Sequence, residues 1–468
     1  MERGNLIVRT VRGVAGAAAL IVFTAATAPA QRSDELRAIL DRLQRIEEQN
    51  RALAEEVRLL RMQIANTPRL EAEALPDAPR PASGEPTLKE RMAVQEARVA
   101  EQAATKVEAS QKFPIRITGM ALFNAWLNKG GSGEAEYPAF AAPDQRGAGG
   151  AGLRQTIIGL QFHGPRTVAG ANVRGEFNMD FFGGTGRILD QGARIRTATL
   201  GLDWDTRSVT AGLDKPLFAV RDPASLAQVG VSPLTGAGNL WLWIPQVRFE
   251  QRVKLGPSAG FRAQVAAVQT REIGTAVTAP GDAYNPDVGP TRPGIEGRFE
   301  LFAGGEERRI EIAPGFHRSV SHVGPVSVPS NVMSVDWLVR PVAAFDLTGI
   351  FFAGQNVSHL GTGGIRQGFV ISEYGDIRAV RARGGWAQAA WRPVQRLTVR
   401  GFGGIHDDRN SDLFRGAIGR NLAWGANLEY RLAPNVLAGL EAAQVRTKYL
   451  GGSTARNNHY DLALAYLF

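Results

Sequence analysis

The last ten residues of the chain, from His459 to Phe468, constrain its fold more than any other stretch. Successive side chains of a β-strand point to opposite faces, so a strand with two different faces has a two-residue period. One parity holds Tyr460, Leu462, Leu464, Tyr466 and Phe468, and the other holds His459, Asp461, Ala463 and Ala465. In a soluble protein this strand would expose an unpaired apolar edge, whereas a closed barrel in a membrane has no edge. We therefore predict the last strand of an all-β membrane barrel.

The final residues also resemble the C-terminal signal of bacterial outer-membrane barrels, which the barrel-assembly machinery recognises. Phe468 is the terminal residue, and Tyr466 lies two positions before it. The resemblance implies that these two residues form an assembly signal and that the assembly machinery is a partner of this chain.

Alternation in other stretches predicts a single transmembrane β-barrel over residues 113–468, with about 16 antiparallel strands. Between Asn172 and Phe182, apolar residues and glycine at odd positions alternate with polar residues at even positions. Tight breaks that contain glycine or proline alternate with longer segments, as expected for barrels with short periplasmic turns and long external loops. The longer segments lie at about 128–150, 183–193, 271–293, 319–329, 354–376, 405–421 and 447–457. A soluble sandwich also alternates, so parity alone does not separate the two folds.

The N-terminus, residues 1–30, has the features of a secretory signal peptide. Arginines precede a short apolar stretch, and Ala28-Pro29-Ala30 provides small residues at an A-x-A cleavage site. A membrane anchor is the alternative, but the uncharged stretch is short for a span of about 20 residues. We expect export, with the barrel in the bacterial outer membrane and the helices that follow the signal peptide in the periplasm.

Residues 31–67 carry a heptad repeat that predicts an oligomerising, periplasmic α-helical coiled coil ahead of the barrel. All but one of its core positions are aliphatic, and the exception, Asn50, would fix the register. These core residues are Leu36, Ile39, Leu43, Ile46, Asn50, Leu53, Val57, Leu60 and Ile64. A single amphipathic helix packed on its own barrel is the alternative, and the core layers do not agree on one oligomeric state.

Two further segments separate this helix from the barrel. Residues 68–86 form a proline-rich linker, because proline breaks helices and extends the chain. Residues 87–112 open with a capping box, Thr87 to Glu90, and predict a polar helix. This helix either enters the barrel mouth as a partial plug or forms a solvated stalk.

The positive charge of the chain belongs to the predicted barrel. Residues 113–468 hold 37 Lys and Arg against 29 Asp and Glu, which accounts for +8 of the net +9. These cations stand singly within alternating strands rather than in runs, which argues against nucleic acid as a partner. The absence of cysteine excludes disulfides and thiolate metal sites.

A long connection at about 215–245 is the candidate pore constriction. The strand pair before it, 194–202 and 209–213, resembles the porin strands that precede a loop folded into the lumen. Arg221 and Asp222 are then the best candidates for a constriction pair, with Lys215 nearby, and an ordinary solvated external loop is the alternative. Arginine and lysine in a narrow pore select anions. The wall cations that would face this loop are Arg174, Arg196, Arg248, Arg252, Arg262 and Arg298, although most could simply pair with carboxylates on neighbouring strands.

Little in the sequence predicts catalysis, so we expect no enzyme, no catalytic residue, no cofactor and no metal. The six histidines show no metal-binding spacing, and no G-x-S-x-G motif is present. Asp407, Asp408 and Asp412 could bind Ca²⁺ but fit a solvated loop tip better. Trp241 and Trp243 could stack on a ligand, although a membrane-interface belt is the favoured interpretation.

The arrangement of signal, coiled coil, proline-rich linker and barrel resembles the DcaP-like porin family. The segments that resemble it are Phe345–Asn356, Leu360–Gly368 and Gly384–Gln388 with Trp391-Arg392-Pro393. The resemblance implies a 16-stranded homotrimer in outer-membrane lipid that admits small anionic solutes such as dicarboxylates by passive diffusion. The alternative is a structural protein whose coiled coil tethers the outer membrane to the cell wall.

Overall fold

The computed structural model describes residues 115–132, 135–167, 169–183, 192–270, 276–277, 288–290, 293–361, 367–372 and 374–468. The predicted signal peptide, coiled coil, linker and polar helix, at 1–112, lie outside the described residues.

Sixteen long strands form one closed antiparallel barrel in the described part of the chain, which confirms the expected fold and strand number. They are β1 (Ile115–Lys129), β2 (Ile157–Arg166), β3 (Asn172–Gly183), β4 (Gly192–Asp203), β5 (Arg207–Asp214), β6 (Ile244–Lys254), β7 (Ala259–Val268), β8 (Gly294–Gly304), β9 (Arg309–Val323), β10 (Val326–Val342), β11 (Phe345–Gln355), β12 (Arg381–Val394), β13 (Leu397–Asp408), β14 (Ile418–Ala433), β15 (Val436–Tyr449) and β16 (Thr454–Leu467). Short additional strands at Gly149–Gly152, Ala276–Val277, Val288–Pro290, Phe369–Ile371 and Ile377–Ala379 lie in the long connections.

The barrel closes by pairing its first strand with its last. Strand β1 pairs with β16 from Met120↔Leu467 to Lys129↔Asn458, and its first half pairs with β2. Phe468 completes the seam, because its amide donates to the Gly119 carbonyl at 3.1 Å and its carbonyl accepts from the Gly119 amide at 2.9 Å. No edge is therefore left at the chain terminus.

The two faces of β16 show which side of the wall is apolar. Tyr460, Leu462 and Leu464 are each more than 40% exposed, whereas His459 and Asp461 are at most 5% exposed. A sandwich would bury its apolar face, but here the apolar face points outward and the polar face inward. This is the arrangement of a barrel surrounded by lipid.

Connection lengths distinguish the two ends of the barrel. The start of β1 and the end of β16 share one end of the barrel with the tight turns at 204–206, 255–258, 305–308, 343–344, 395–396 and 434–435. The opposite end carries long connections such as 130–156, 269–293 and 356–380. The prediction of a long loop at 319–329 is wrong, because β9 and β10 continue in register to Val323↔Val326 and join through a two-residue turn.

The inner face is not uniformly polar. Ile350, Phe352, Trp386 and Phe402 point inward and pack with Phe218, Leu234 and Leu240 from the connection between β5 and β6. From Gly349 to Phe352, strand β11 is therefore apolar on both faces, because this connection covers the inner one. No helix among the described residues is long and apolar enough to cross a membrane.

Candidate pore constriction

The connection between β5 and β6, residues 215–243, lies inside the barrel. Its Ala224 amide donates to Gln388 of β12 at 2.9 Å, and its Gln228 side chain donates to Glu441 of β15 at 2.5 Å. Asn124 of β1 donates to the Leu226 carbonyl at 3.0 Å. A segment that leaves β5 and bonds to strands on the far side of the sheet can do so only across the lumen. We call residues 215–243 the inward loop.

The inward loop begins with a short 3₁₀ helix, Leu217–Ala219, fixed to the wall by its backbone. The Leu217 amide donates to the Glu296 carboxylate at 2.5 Å, and Ser334 donates to the Phe218 carbonyl at 2.9 Å. Glu296 also contacts His317 at 2.8 Å. Wall side chains thus satisfy backbone groups that burial would otherwise leave unpaired.

Arg221 anchors the inward loop to the wall by charge. Its guanidinium donates to Asp336 of β10 at 2.7 Å and forms an ion pair with Glu311 of β9. Arg298 of β8 donates to the same Asp336 at 2.7 Å and pairs with Glu300 at 2.7 Å. Arg262 joins at Glu300 and Arg309 at Glu311, so four cations and three carboxylates form one network, in which Arg298 is only 1% exposed.

Lys215 and Asp222 pair with each other within the inward loop. Their ammonium nitrogen and carboxylate oxygen are 2.5 Å apart, and the two side chains are 33% and 21% exposed. Asp222 also accepts from Asn239 at 3.3 Å. The three loop residues proposed from sequence therefore all line the lumen, but Arg221 pairs with the wall rather than with Asp222.

Two arginines of β4 meet one carboxylate beside the same loop. Arg194 and Arg196 both donate to Asp180, at 2.6 and 2.9 Å, and Arg196 also donates to the Val229 carbonyl at 2.6 Å. A β-bulge opposite Asn178 and Met179 interrupts the register of β4, which explains why its parity looked irregular in sequence. Because the bulge reverses the parity of the strand at this point, Arg194 and Arg196 both point inward.

The other wall cations proposed from sequence each have an acidic partner. Arg174 pairs with Asp203, Arg248 with Asp214 at 3.3 Å, Arg252 with Glu250 at 2.5 Å and Arg262 with Glu300 at 3.1 Å. Three of these pairs join neighbouring strands of the barrel interior, whereas Arg252 and Glu250 both lie on β6.

Carboxylates are in excess on the opposite wall. Glu441 accepts from Asn427 at 3.2 Å and Gln228 at 2.5 Å, and Asp461 accepts from Asn124 at 3.1 Å. Neither has a cation within ion-pair distance among the residues the structure describes. In the loop at 130–148, Glu136 contacts Gln155 at 2.9 Å, and burial raises the pKa of its carboxyl.

The wall carboxylates of this site were not among the residues singled out from sequence. Asp180, Asp336 and Glu441 lie on strands where they alternate with apolar residues, which was the available signal for an inward position. What sequence could not supply was the partner that each one meets, which is a pair of arginines for Asp180 and for Asp336 and a set of neutral donors for Glu441.

Two other interpretations from sequence need correction. Trp241 and Trp243 do not form a membrane-interface belt, because they are 6% and 5% exposed and lie within the inward loop. The Trp241 indole donates to Thr235 at 2.7 Å, and the Arg196 guanidinium stacks over Trp243 at 4.8 Å. The two indole rings therefore contact groups inside the barrel and not lipid headgroups.

Two of the three aspartates considered for Ca²⁺ have arginine partners instead, and the third, Asp408, contacts His406 at 2.7 Å. Asp407 pairs with Arg383 and Arg420, and Asp412 pairs with Arg381 at 2.6 Å. No group of three metal-ligating side chains occurs within the described ranges.

A closed 16-stranded barrel, apolar outside and crossed by a charged inward loop, has the architecture of a porin-type channel. The structure is similar to a crystal structure of the outer membrane channel DcaP of Acinetobacter baumannii, with a TM-score of 0.62 and 16% identity over 76% of this chain and 97% of that one. It is also similar to an anion-selective porin from Comamonas acidovorans, with a TM-score of 0.51 and 12% identity over 76% and 99% of the two chains. Neither a protein-family profile nor a curated protein sequence matches this chain. The fold is that of the outer-membrane porins.

Proposed function

We propose that this protein is an outer-membrane porin that lets small hydrophilic solutes diffuse passively, with a preference for anions such as dicarboxylates. The observation that supports it most is the attachment of the inward loop to Asp336 and Glu311 on one side and Glu441 on the other. A loop that is attached to the wall on both sides of the lumen narrows the path through the barrel.

The distribution of charge around the inward loop supports the anion preference. Beside β4 two arginines share Asp180, and around Asp336 the cations Arg221, Arg298, Arg262 and Arg309 meet Asp336, Glu300 and Glu311. Each of these groups has one cation more than it has carboxylates. On the opposite wall Glu441 and Asp461 lack cationic partners among the described residues. An anion passing the loop is therefore drawn toward one wall, and an arginine fork fits a carboxylate in two contacts.

Planar-bilayer recording tests the conduction and the preference separately. The full chain, reconstituted under a KCl gradient, should open stable channels whose reversal potential has the sign for chloride permeation. Channels with a clear cation preference would remove the anion claim, and the absence of channels would remove the porin claim.

A homotrimeric assembly in outer-membrane lipid, inserted by the barrel-assembly machinery, completes the proposal. The predicted coiled coil at 31–67 would hold the three chains together in the periplasm. Crosslinking or mass measurement of the full chain in detergent tests the trimer, and a monomer would contradict it.

The alternative function is structural, with the N-terminal segment tethering the outer membrane to the cell wall. Deleting residues 31–112 separates the two functions. Channels that persist while envelope attachment fails would favour the tether as a second role, whereas unchanged attachment would argue against it.

A further inference from the structure

The outward face of β10–β14 has a shallow apolar trough that the pore does not use. Across these strands Trp337 lies opposite Gly349, Gly349 opposite Ala387, Ala387 opposite Gly403, and Gly403 opposite Trp424. Two tryptophans thus flank three residues with little or no side chain. We call this row and the row above it, with Phe351, Gly385, Ile405 and Leu422, the outer groove. It encloses about 400 Å³.

The floor of the outer groove is open at Gly403. A Cβ added there would lie 3.6 Å from Trp424, which is ordinary contact, whereas one added at Gly349 would meet the Trp337 ring, which already lies over that glycine. From Trp337 on β10 to Trp424 on β14 the floor crosses β11, β12 and β13, and neighbouring strands lie about 4.8 Å apart. Its shape and lining suit hydrocarbon chains that lie against the barrel wall.

A cationic pocket lies directly beyond the groove, toward the end with the long loops. Arg383, Asp407 and Arg420 form the next outward row, two residues or about 7 Å farther along each strand. This pocket encloses about 460 Å³ and is also lined by Arg381 and Arg409. The side chains of Arg381, Arg383 and Arg420 are 51%, 69% and 52% exposed.

Cations outnumber carboxylates around this pocket. Asp407 contacts both Arg383 and Arg420, at 3.0 and 2.9 Å, so one negative charge faces two positive ones. More cations follow along the same outward rim. They are Arg446, which stacks over Trp424 at 4.6 Å, then Lys448 opposite Arg420, and Arg456 opposite Arg446. An exposed guanidinium with donors left over is a phosphate ligand.

We propose that the outer groove and this arginine pocket together bind one phosphorylated lipid of the outer leaflet, such as lipid A. Its acyl chains lie in the groove between Trp337 and Trp424, and its phosphate lies against Arg383, Arg420 and Arg381. Lipid is the occupant because the apolar groove is followed by the arginine pocket along strands that cross the membrane. A protein partner would need an anionic surface beside an apolar ridge, whereas every phosphorylated lipid offers both. The inference rests on the proposed membrane location but not on solute conduction.

Binding to the full chain, purified in detergent and stripped of lipid, tests the proposal by native mass spectrometry. Bisphosphorylated lipid A, monophosphoryl lipid A, phosphatidylcholine and inorganic phosphate are the probes. We expect bisphosphorylated lipid A to bind best, with about tenfold weaker binding after the double change Arg383→Gln with Arg420→Gln. Gly403→Leu, which fills the groove without a backbone clash, should weaken lipid binding without altering channel conductance.

Two matched variants control for charge and bulk. Arg318→Gln removes an exposed outward arginine of β9, and Ala267→Leu adds the same bulk to an exposed outward alanine of β7. Both should bind lipid A as the unchanged protein does. Equal binding by all variants, equal binding of phosphatidylcholine and lipid A, or inorganic phosphate displacing the lipid completely would each overturn the proposal. So would a change of oligomeric mass in Gly403→Leu, since the groove would then belong to a second copy of the chain.

Discussion

Arg221 in the inward loop and Arg298 in the barrel wall bind the same carboxylate, that of Asp336, each with a closest contact of 2.7 Å. The three residues belong to three separate parts of the chain, and Asp336 is fully buried. The position of the loop in the lumen therefore depends on one acidic side chain of β10.

Replacing Asp336 with asparagine should loosen the inward loop and destabilise the barrel. Two buried or half-buried guanidinium groups would lose a charged partner, and breaking a buried ion pair on one side costs about 3–5 kcal/mol. Denaturant unfolding followed by tryptophan fluorescence measures the loss, and hydrogen exchange of residues 215–243 locates it. The control is Arg252→Gln, whose side chain is 54% exposed and whose removal should cost less than about 1 kcal/mol. Equal losses in both variants would show that Asp336 has no special role.

Gly238 should tolerate alanine less well than Gly416. Both have positive φ, +99° and +91°, so both substitutions bear the strain of a left-handed conformation, about 1–2 kcal/mol. At Gly238 the new Cβ would also meet the carbonyl oxygens of Gly385 and Ile405, whereas at Gly416 it meets nothing within 4 Å. The measurement is the difference in unfolding free energy between the two variants. If Gly238→Ala lowers the free energy of unfolding no more than Gly416→Ala does, the inward loop does not pack closely against the wall at this point.

Opposite shifts of ion selectivity should follow from changes on the two walls of the lumen. Arg194→Gln removes one of two cations on Asp180 and leaves Arg196 to pair with it, so it should move the reversal potential toward cation permeation. Glu441→Gln keeps a side chain that can hydrogen-bond to Ser225 and Gln228, and it should strengthen anion permeation. Arg318→Gln, on the outward face, should change nothing. Shifts of the same sign in both lumenal variants would contradict the two-wall arrangement.

Acid should destabilise the loop that contains His359. This ring is 1% exposed, neither nitrogen has a partner among the described residues, and burial lowers its pKa from 6.5 to about 3. The unfolded chain takes up the proton first, so the stability is complete above pH 6.5 and is lost as the pH falls from there toward 3. Midpoints of denaturant unfolding between pH 7 and pH 4 should decline less in His359→Leu than in the unchanged protein.

A second histidine controls for general acid effects in this experiment. His322 is near the end of β9, at 3.5 Å from Ser327, and is not fully buried. The control variant is therefore His322→Gln. A slope that is the same in all three proteins would exclude His359 as its source.

Much of the barrel could be predicted from sequence because the signal is local. The alternation in β16 depends only on the geometry of one strand, and the structure gives that strand the expected two faces. Where the alternation of polar and apolar residues breaks down, a feature of the structure explains the exception. The irregular parity of β4 reflects a bulge, and the apolar inner face of β11 reflects the packing of Phe352 against the inward loop.

The ion pairs of the candidate constriction could not be predicted in the same way. Arg298 and Asp336 are separated by 38 residues, and Arg221 and Asp336 by 115. The sequence analysis predicted Arg221 as a constriction residue and Asp222, its neighbour in the chain, as its partner. In the folded barrel Asp222 turns to Lys215 instead.

The sequence by itself determined that the strands alternate, that the terminal strand has a lipid-facing side and that the barrel is rich in arginine. Those properties follow from side-chain chemistry and the two-residue repeat of a strand. Only the tertiary structure decided which arginines are neutralised, which wall keeps an excess of carboxylates, and where Gly349, Ala387 and Gly403 line up between two tryptophans. Each of these depends on the register between strands distant in sequence, and register is fixed only when the whole sheet closes.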